Sequence, residues 1–260
     1  MNKADPDIIS WNEKARDWHL QVGQDGDRNR LINSDPVLWR MAGDVAGLDV
    51  LDAGCGTGYL AIKLAQKGAY VHAVDFSPAM VEVARENIAA AKVALRLEVD
   101  SISELATVPT GTMDLVISNY VLMDCADLDG AIAQFYRVLR PGGRAITIFS
   151  HPCFDRAEVP EHPEGGPIYH WDLSYYIARR EESSWGHFTS PFVFYHRPLN
   201  HYWKSFQKHG FQVTDFDEPV GQPPFPPDMT PEQIHRTSTR PFSVAFQLTK
   251  PRDKSSACLL

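Results

Sequence analysis

The sequence predicts a doubly wound α/β domain, a mostly parallel sheet with helices on both faces. Between residues 48 and 150, short β-branched or apolar runs alternate with longer amphipathic ones. Strands separated in this way by helices pair in parallel through right-handed crossovers. The first run ends in three closely spaced glycines, Gly54, Gly56 and Gly58, just before a helical pattern. Carboxylates close the next two runs, Asp75 and Asp100. In such a sheet the ligand lies beyond the carboxyl ends of the strands, so functional residues are expected there.

Taken in order, residues 48–52 (LDVLD) read as a buried strand ending in the glycine turn. Residues 57–67 follow with Leu60, Ala61, Leu64 and Ala65 at helical spacing, and Gly68 stops the helix. Residues 69–75 (AYVHAVD) form the second strand. Ser77 as N-cap and Pro78 at the first position open a helix to about Ala91. Residues 95–99 and 113–118 (MDLVIS) are strands three and four. A helix over 128–139 is ended by Pro141, Gly142 and Gly143, and 144–150 (RAITIFS) is strand five. Beyond it, 191–196 (PFVFYH) reads as a short extra strand, 199–209 as a helix, and 211–216 and 242–249 as strands. A proline-rich loop covers 219–231. Ahead of the core, 7–20 and 36–44 are predicted helices joined by a polar stretch, 21–33. One domain results: a helical cap over 1–46, a ligand-binding core over 47–150, an aromatic lid insertion over 151–197, and completion of the sheet over 198–250.

Composition narrows the partners. At 260 residues, 43% of them hydrophobic, the chain buries a sizeable core. A net charge of −8 argues against a phosphate-backbone partner, which calls for a basic face. No window approaches the roughly eighteen apolar residues of a membrane span, and residues 1–13 lack the layout of a signal peptide. Cys55, Cys125, Cys153 and Cys258 are scattered, with no spacing typical of a metal site. Cys258 sits third from the last residue, not fourth as in a prenylation box. The expectation is a cytoplasmic, metal-independent monomer or homodimer.

The sharpest signal is DAGCGTG, residues 52–58. Its glycines let the backbone turn sharply and let a ligand approach the main chain. Nicotinamide-binding loops read G-x-G-x-x-G, and here Tyr59 stands where the third glycine belongs. Asp52 places a carboxylate where a pyrophosphate would be repelled and an amino group welcomed, which favours a ligand with an amino-acid end. The competing reading is a plain strand-to-helix turn. Asp75, about twenty residues on, is placed to accept from ribose hydroxyls. Asp100 could accept an adenine amine, with Ser101 beside it and Phe76, Met80 and Ile102 sandwiching the base. Met80 and Ile102 serve equally well as core residues.

Together DAGCGTG, VDFSPAM, the carboxylate after the third strand, SNYVLM and RVLRPGG resemble the motifs of class I S-adenosylmethionine-dependent methyltransferases in their usual order. The resemblance is dense over about residues 40–150. It implies a Rossmann-like, seven-stranded sheet and S-adenosyl-L-methionine as cofactor, leaving S-adenosyl-L-homocysteine as product. By this resemblance Gly54, Gly56 and Gly58 bracket the methionine part, Asp75 the ribose and Asp100 the adenine amine. Asn119 and Tyr120 line the sulfonium side. The later segments SHPCF, YHRPL and TRPFSVAF resemble, more loosely, a bacterial subgroup acting on small or unknown substrates.

Methyl transfer from a sulfonium is an in-line displacement, to which a protein contributes alignment and exclusion of water. An oxygen nucleophile wants a base, and an amine must be neutral. Seven of the ten histidines lie between 151 and 209. His151, directly beyond the fifth strand, is the candidate base, although a lone histidine is more often structural. His170 and His187 are weaker candidates. Tyr169, Tyr175, Tyr176, Tyr195 and His196, with Trp171, Trp185, Phe192 and Phe194, are expected either to wall a substrate pocket or to pack a satellite core. Arg28 and Arg30 could reach the methionine carboxylate. The leading expectation is O- or N-methylation of a small molecule. RNA or protein substrates, a non-methylating S-adenosylmethionine-binding enzyme such as a cyclase, and a nicotinamide oxidoreductase are the alternatives.

Overall fold

The computed structural model describes residues 5–154, 174–184, 186, 188 and 190–252. Seven strands form one sheet: β1 (Asp49–Ala53), β2 (Tyr70–Asp75), β3 (Arg96–Val99), β4 (Met113–Asn119), β5 (Leu139–Ser150), β8 (Gln212–Asp217) and β9 (Ser243–Thr249). Their order is β3-β2-β1-β4-β5-β9-β8. The first five pair in parallel, while β9 runs antiparallel to both β5 and β8. The chain reverses direction across the sheet between β1 and β4, so their carboxyl ends open the crevice that a doubly wound sheet offers a ligand. A separate ribbon pairs β6 (Arg179–Ser183) with β7 (Phe192–His196).

The helices are α1 (Pro6–Val22), α2 (Asp35–Ala42), α3 (Tyr59–Gln66), α4 (Pro78–Ala91), α5 (Leu128–Val138), α6 (Leu199–Lys208) and α7 (Pro231–Thr239). A five-residue π-helical turn, Arg30–Ser34, leads into α2. The predicted start of α4 is built as the sequence implies. Ser77 Oγ accepts from the Met80 amide at 3.1 Å, and Pro78 occupies a first-turn position whose amide needs no partner. At α1, Asp5 Oδ1 accepts from the Asp7 amide at 2.9 Å and Pro6 follows it.

Alternation along the strands divides the core in two. Leu51, Val116, Ala145 and Phe149 face α5 and α6, where Phe135, Tyr202, Phe206 and Phe246 fill the layer. Phe149 stacks on Tyr202 with ring centroids 4.1 Å apart. Val50, Leu115, Ile117, Ile146 and Ile148 face the opposite side, against Leu38, Leu60 and Leu64 of α2 and α3. Asp52 shares that second face with Val50, because side chains two apart on a strand point the same way.

Three elements differ from expectation. β5 begins at Leu139 and runs through Pro141, Gly142 and Gly143 to Ser150; Leu139 already pairs with Met113, so the glycines form an irregularity within the strand. α7 lies where no helix was assigned; it carries a full capping box, Thr230 with Gln233, behind Pro231. β6 is the third: its RREES run lacks apolar alternation, so nothing in the sequence marks it.

Phe135 is fully buried between α5 and the sheet. Phe135→Ala should therefore cost about 3–5 kcal/mol of stability through lost transfer energy and a residual cavity. Tyr70→Ala, at a position 70% exposed, should change it by less than about 0.5 kcal/mol. Urea denaturation of the two variants beside wild type measures both.

Candidate functional site

A cleft opens at the carboxyl ends of β1, β2 and β4. Its floor is the glycine loop, with Asp52, Gly54, Cys55, Gly56 and Thr57 lining it. Gly54 has φ +86°, and a Cβ there would stand 2.5 Å from Val121 Cγ2, so backbone conformation and space both demand glycine. Gly58, also left-handed at φ +88°, faces elsewhere: a Cβ would meet Ala84 at 3.3 Å. It allows close packing of α3 on α4 and does not line the cleft.

The floor is electrostatically unusual. Asp52 is 2% exposed, its Oδ2 has no hydrogen-bond partner, and burial pushes its carboxyl up to about 7. Asn119 Oδ1, at the end of β4, likewise lacks a partner, and both residues line the cleft. Asp75 Oδ2 accepts from the Gly56 amide and its Oδ1 from the Ser77 amide, each at 2.9 Å. Burial outweighs these two donors and raises the Asp75 carboxyl to about 6. Phe76 continues the lining from the end of β2, Met80 from the first turn of α4, Ser101 and Ile102 from the loop after β3, and Tyr120 from just beyond β4. Tyr120 sits at φ +58°, a left-handed conformation that non-glycine residues rarely adopt, and its hydroxyl bonds Ser243 Oγ.

Asp100 departs from its assigned place. Its Oδ2 accepts from both the amide and the hydroxyl of Thr107 at 2.7 Å, and the residue does not line the cleft. The carboxylate caps its own loop, a local competitor that single-residue reading overlooks.

Arg30 lines the cleft and is 8% exposed; its Nη1 donates to Asp27 Oδ2 at 2.9 Å. The guanidinium lies 5.5 Å from the Trp18 ring and 5.7 Å from that of Tyr59. Arg28 instead pairs with Asp228 on the surface.

The cover is α1. Asp7, Trp11 and Trp18 project from it into the cleft wall. Asn12 Oδ1 accepts from Ser77 Oγ at 2.8 Å and from the Ala79 amide at 3.2 Å, tying α1 to the start of α4. Trp11 packs against Trp18 with centroids 5.4 Å apart and against Phe192 of β7 at 5.6 Å. The helix and a cap over 1–46 were legible, but not that its tryptophans line the cleft. Residues 7, 11, 14 and 18 are spaced as one helical face, which was the available signal.

His151 is set apart from the cleft. Its Nδ1 accepts from the Cys153 amide at 3.1 Å, which puts the ring proton on Nε2, 2.6 Å from Glu218 Oε1. No lone pair is left for a substrate proton. It borders a small second cavity with Tyr195 and His196, not the cleft. Of those two, Tyr195 reaches the cleft wall indirectly, its hydroxyl donating to Asp7 Oδ2 at 2.6 Å. The His196 Nε2 donates to the Tyr175 carbonyl at 2.8 Å. Tyr175 and Tyr176 border an open groove beside Trp203 and Phe216. Of the described aromatic residues after β5, Phe192 and Phe188 brace α1, while Tyr175 and Tyr176 stay on the open groove. Tyr169, His170, Trp171, Trp185 and His187 lie outside the described residues.

With this geometry in place, similarity to known proteins falls on the same elements. Residues 50–143 match the family model of a methyltransferase domain. A malonyl-[acyl-carrier protein] O-methyltransferase of Serratia marcescens is 39% identical over 113 residues, 44% of this chain and 42% of that protein. A demethylmenaquinone methyltransferase of Thermus thermophilus is 34% identical over 152 residues, 54% of this chain and 64% of that protein. The chain thus spans less than two thirds of either relative. An S-adenosylmethionine dependent methyltransferase from Mesorhizobium loti superposes with a TM-score of 0.71 at 23% identity, over 87% of this chain and all of that one, a likeness of fold. Residues 50–143 thus match a methyltransferase domain, and the fold around them is that of an S-adenosylmethionine dependent methyltransferase.

Asp52 also makes a prediction about stability. Between about pH 4 and 7 the unfolded chain has lost the Asp52 proton that the folded chain retains, so stability falls as pH rises through that window. Asp75 adds to the fall up to about pH 6. Asp52→Asn should flatten the profile of the ligand-free protein and stabilise it at pH 8 by on the order of 1–3 kcal/mol. Urea midpoints across pH 4–8 check this; equal slopes in variant and wild type would mean a solvated Asp52.

Proposed function

We propose that the chain transfers the methyl group of S-adenosylmethionine to an oxygen or nitrogen of a small molecule. The observation that carries this reading is the pair of unpartnered acceptor atoms, Asp52 Oδ2 and Asn119 Oδ1, on the floor of a glycine-loop cleft. Buried polar groups are normally satisfied, and these two fit a ligand that brings its own donors. A cofactor with an α-amino group does so. Asp52 and Asn119 would hold its amino-acid end, Arg30 its carboxylate, Asp75 its ribose hydroxyls, and Phe76, Met80 and Ile102 its base. When bound, it supplies an electrophilic methyl on a sulfonium.

The protein's own part is alignment and dryness. The floor fixes one reactant against β1 and β4, and the indoles of Trp11 and Trp18 close the roof against water. A small acceptor suits the net charge of −8, which disfavours a nucleic-acid substrate. The two relatives are named as methyltransferases, and one of them as an O-methyltransferase.

Calorimetry should show binding of S-adenosylhomocysteine and none of nicotinamide dinucleotides. Asp75→Ala should weaken S-adenosylhomocysteine by about 2 kcal/mol, roughly 30-fold, by removing charge-assisted hydrogen bonds. Labelled cofactor incubated with metabolite extract, bulk RNA and bulk protein should mark only the extract. Tight nicotinamide binding with none to S-adenosylhomocysteine would sink the reading, as would label in RNA or protein alone.

A further inference from the structure

No cofactor contact accounts for Tyr59, which stands where a nicotinamide-binding loop carries glycine. It is the first residue of α3 and lines the cleft. Its hydroxyl donates to Asp35 Oδ2 at 2.7 Å, and the Asp25 carbonyl lies 3.1 Å away. Those two partners flank Arg30 in the chain, so the tyrosine grips the segment on both sides of that arginine. The rings of Tyr59 and Trp18 lie 5.7 and 5.5 Å from the guanidinium.

Asp27 completes the mount. Its Oδ1 accepts from the Arg30 amide and its Oδ2 from Arg30 Nη1, each at 2.9 Å. The Asp27 and Arg30 side chains are 9% and 10% exposed, so the pair is shielded from the water that weakens surface pairs. Asp27 does not line the cleft, whereas Arg30 does, so Asp27 meets a ligand only through that arginine. With Nη1 engaged, Nε and Nη2 make no hydrogen bond among the described residues. That edge of a guanidinium takes a carboxylate through two parallel bonds. The positive charge also reaches Asp52, where it opposes the effect of burial. Arg30 therefore stands within electrostatic range of the carboxyl proposed to hold the cofactor's amino group.

We infer that Asp27 is a positioning residue for the cofactor: with Tyr59 it holds the Arg30 guanidinium ready for a carboxylate, and so makes the cleft select a ligand with an intact amino-acid end. The inference rests on the proposed methyltransferase reading and deepens it from what is bound to how it is chosen. A free arginine side chain gives up rotamer freedom when it binds. One already mounted does not, so more of the interaction appears as affinity.

The test titrates the full chain with S-adenosylhomocysteine, its decarboxylated analogue and methylthioadenosine, which lacks the whole amino-acid end. Wild type should bind S-adenosylhomocysteine at least about tenfold more tightly than the decarboxylated analogue. Asp27→Asn keeps a helix cap and an acceptor for the Arg30 amide, but sets a donor group against Nη1. It should weaken S-adenosylhomocysteine by about tenfold and leave the other two ligands within about twofold. Had Asp27 only muted the charge of Arg30, removing its own charge would tighten S-adenosylhomocysteine, the opposite sign. Tyr59→Phe, which keeps the ring and loses the grip, should lower the same preference. No carboxylate preference in wild type, an undiminished preference in either variant, or equal weakening of all three ligands overturns the inference. Wild type that binds none of them, measured first, overturns the methyltransferase reading itself, so the two failures are separable.

Discussion

The amides of the glycine loop are engaged with the end of the neighbouring strand before any ligand arrives. Gly54 N and Cys55 N both donate to the Val74 carbonyl at 2.9 Å, and Gly56 N donates to the Asp75 carboxylate at the same distance. This tie joins the end of β1 to the end of β2 and fixes the loop's height above the sheet. Asp52 then lies on the cleft floor beside the loop, Val121 packs over Gly54, and Gly58 drops onto Ala84 where α3 meets α4. Loosening the tie would shift the floor, the helix and the wall at Phe76 and Met80 together.

How far the site could be read from the sequence follows from the range of each interaction. The strand–glycine–helix unit, the Ser77-Pro78 cap and the closing carboxylate Asp75 are local patterns, and the structure reproduces them. Asp100 was misplaced by a partner seven residues away, Thr107, whose two donors turn the carboxylate aside. His151 stands at the expected strand end, but Glu218, 67 residues further on, claims its proton. Periodicity reports neither. The cover was legible only in part, for a different reason. Aromatic density after β5 suggested a lid, whereas Phe188 and Phe192 brace the tryptophans of α1 that do the covering. Composition shows where rings are abundant, not which of them meet a ligand.

A buried carboxyl without a partner works against the folded state, and natural structures keep such groups mainly where binding uses them. Asp52 has this feature, and Asp75, held by two backbone amides, sits on the adjacent parallel strand, with burial raising both carboxyls. A ligand donor relieves the same groups that weaken the empty protein. The cleft therefore trades ligand-free stability for affinity, and the two are coupled by mass action on the native state.

The roof also has a bearing on assembly. The Tyr195 hydroxyl reaches Asp7 across 188 residues of chain, and Ser10 Oγ reaches the Pro191 carbonyl across 181. Contacts so distant in sequence carry a high loop-closure cost and form late. During synthesis α1 emerges first, yet the strand that braces it is made only after β1 to β5. The parallel half of the sheet can thus fold while the helix waits, and a finished cleft reports that β7 has arrived.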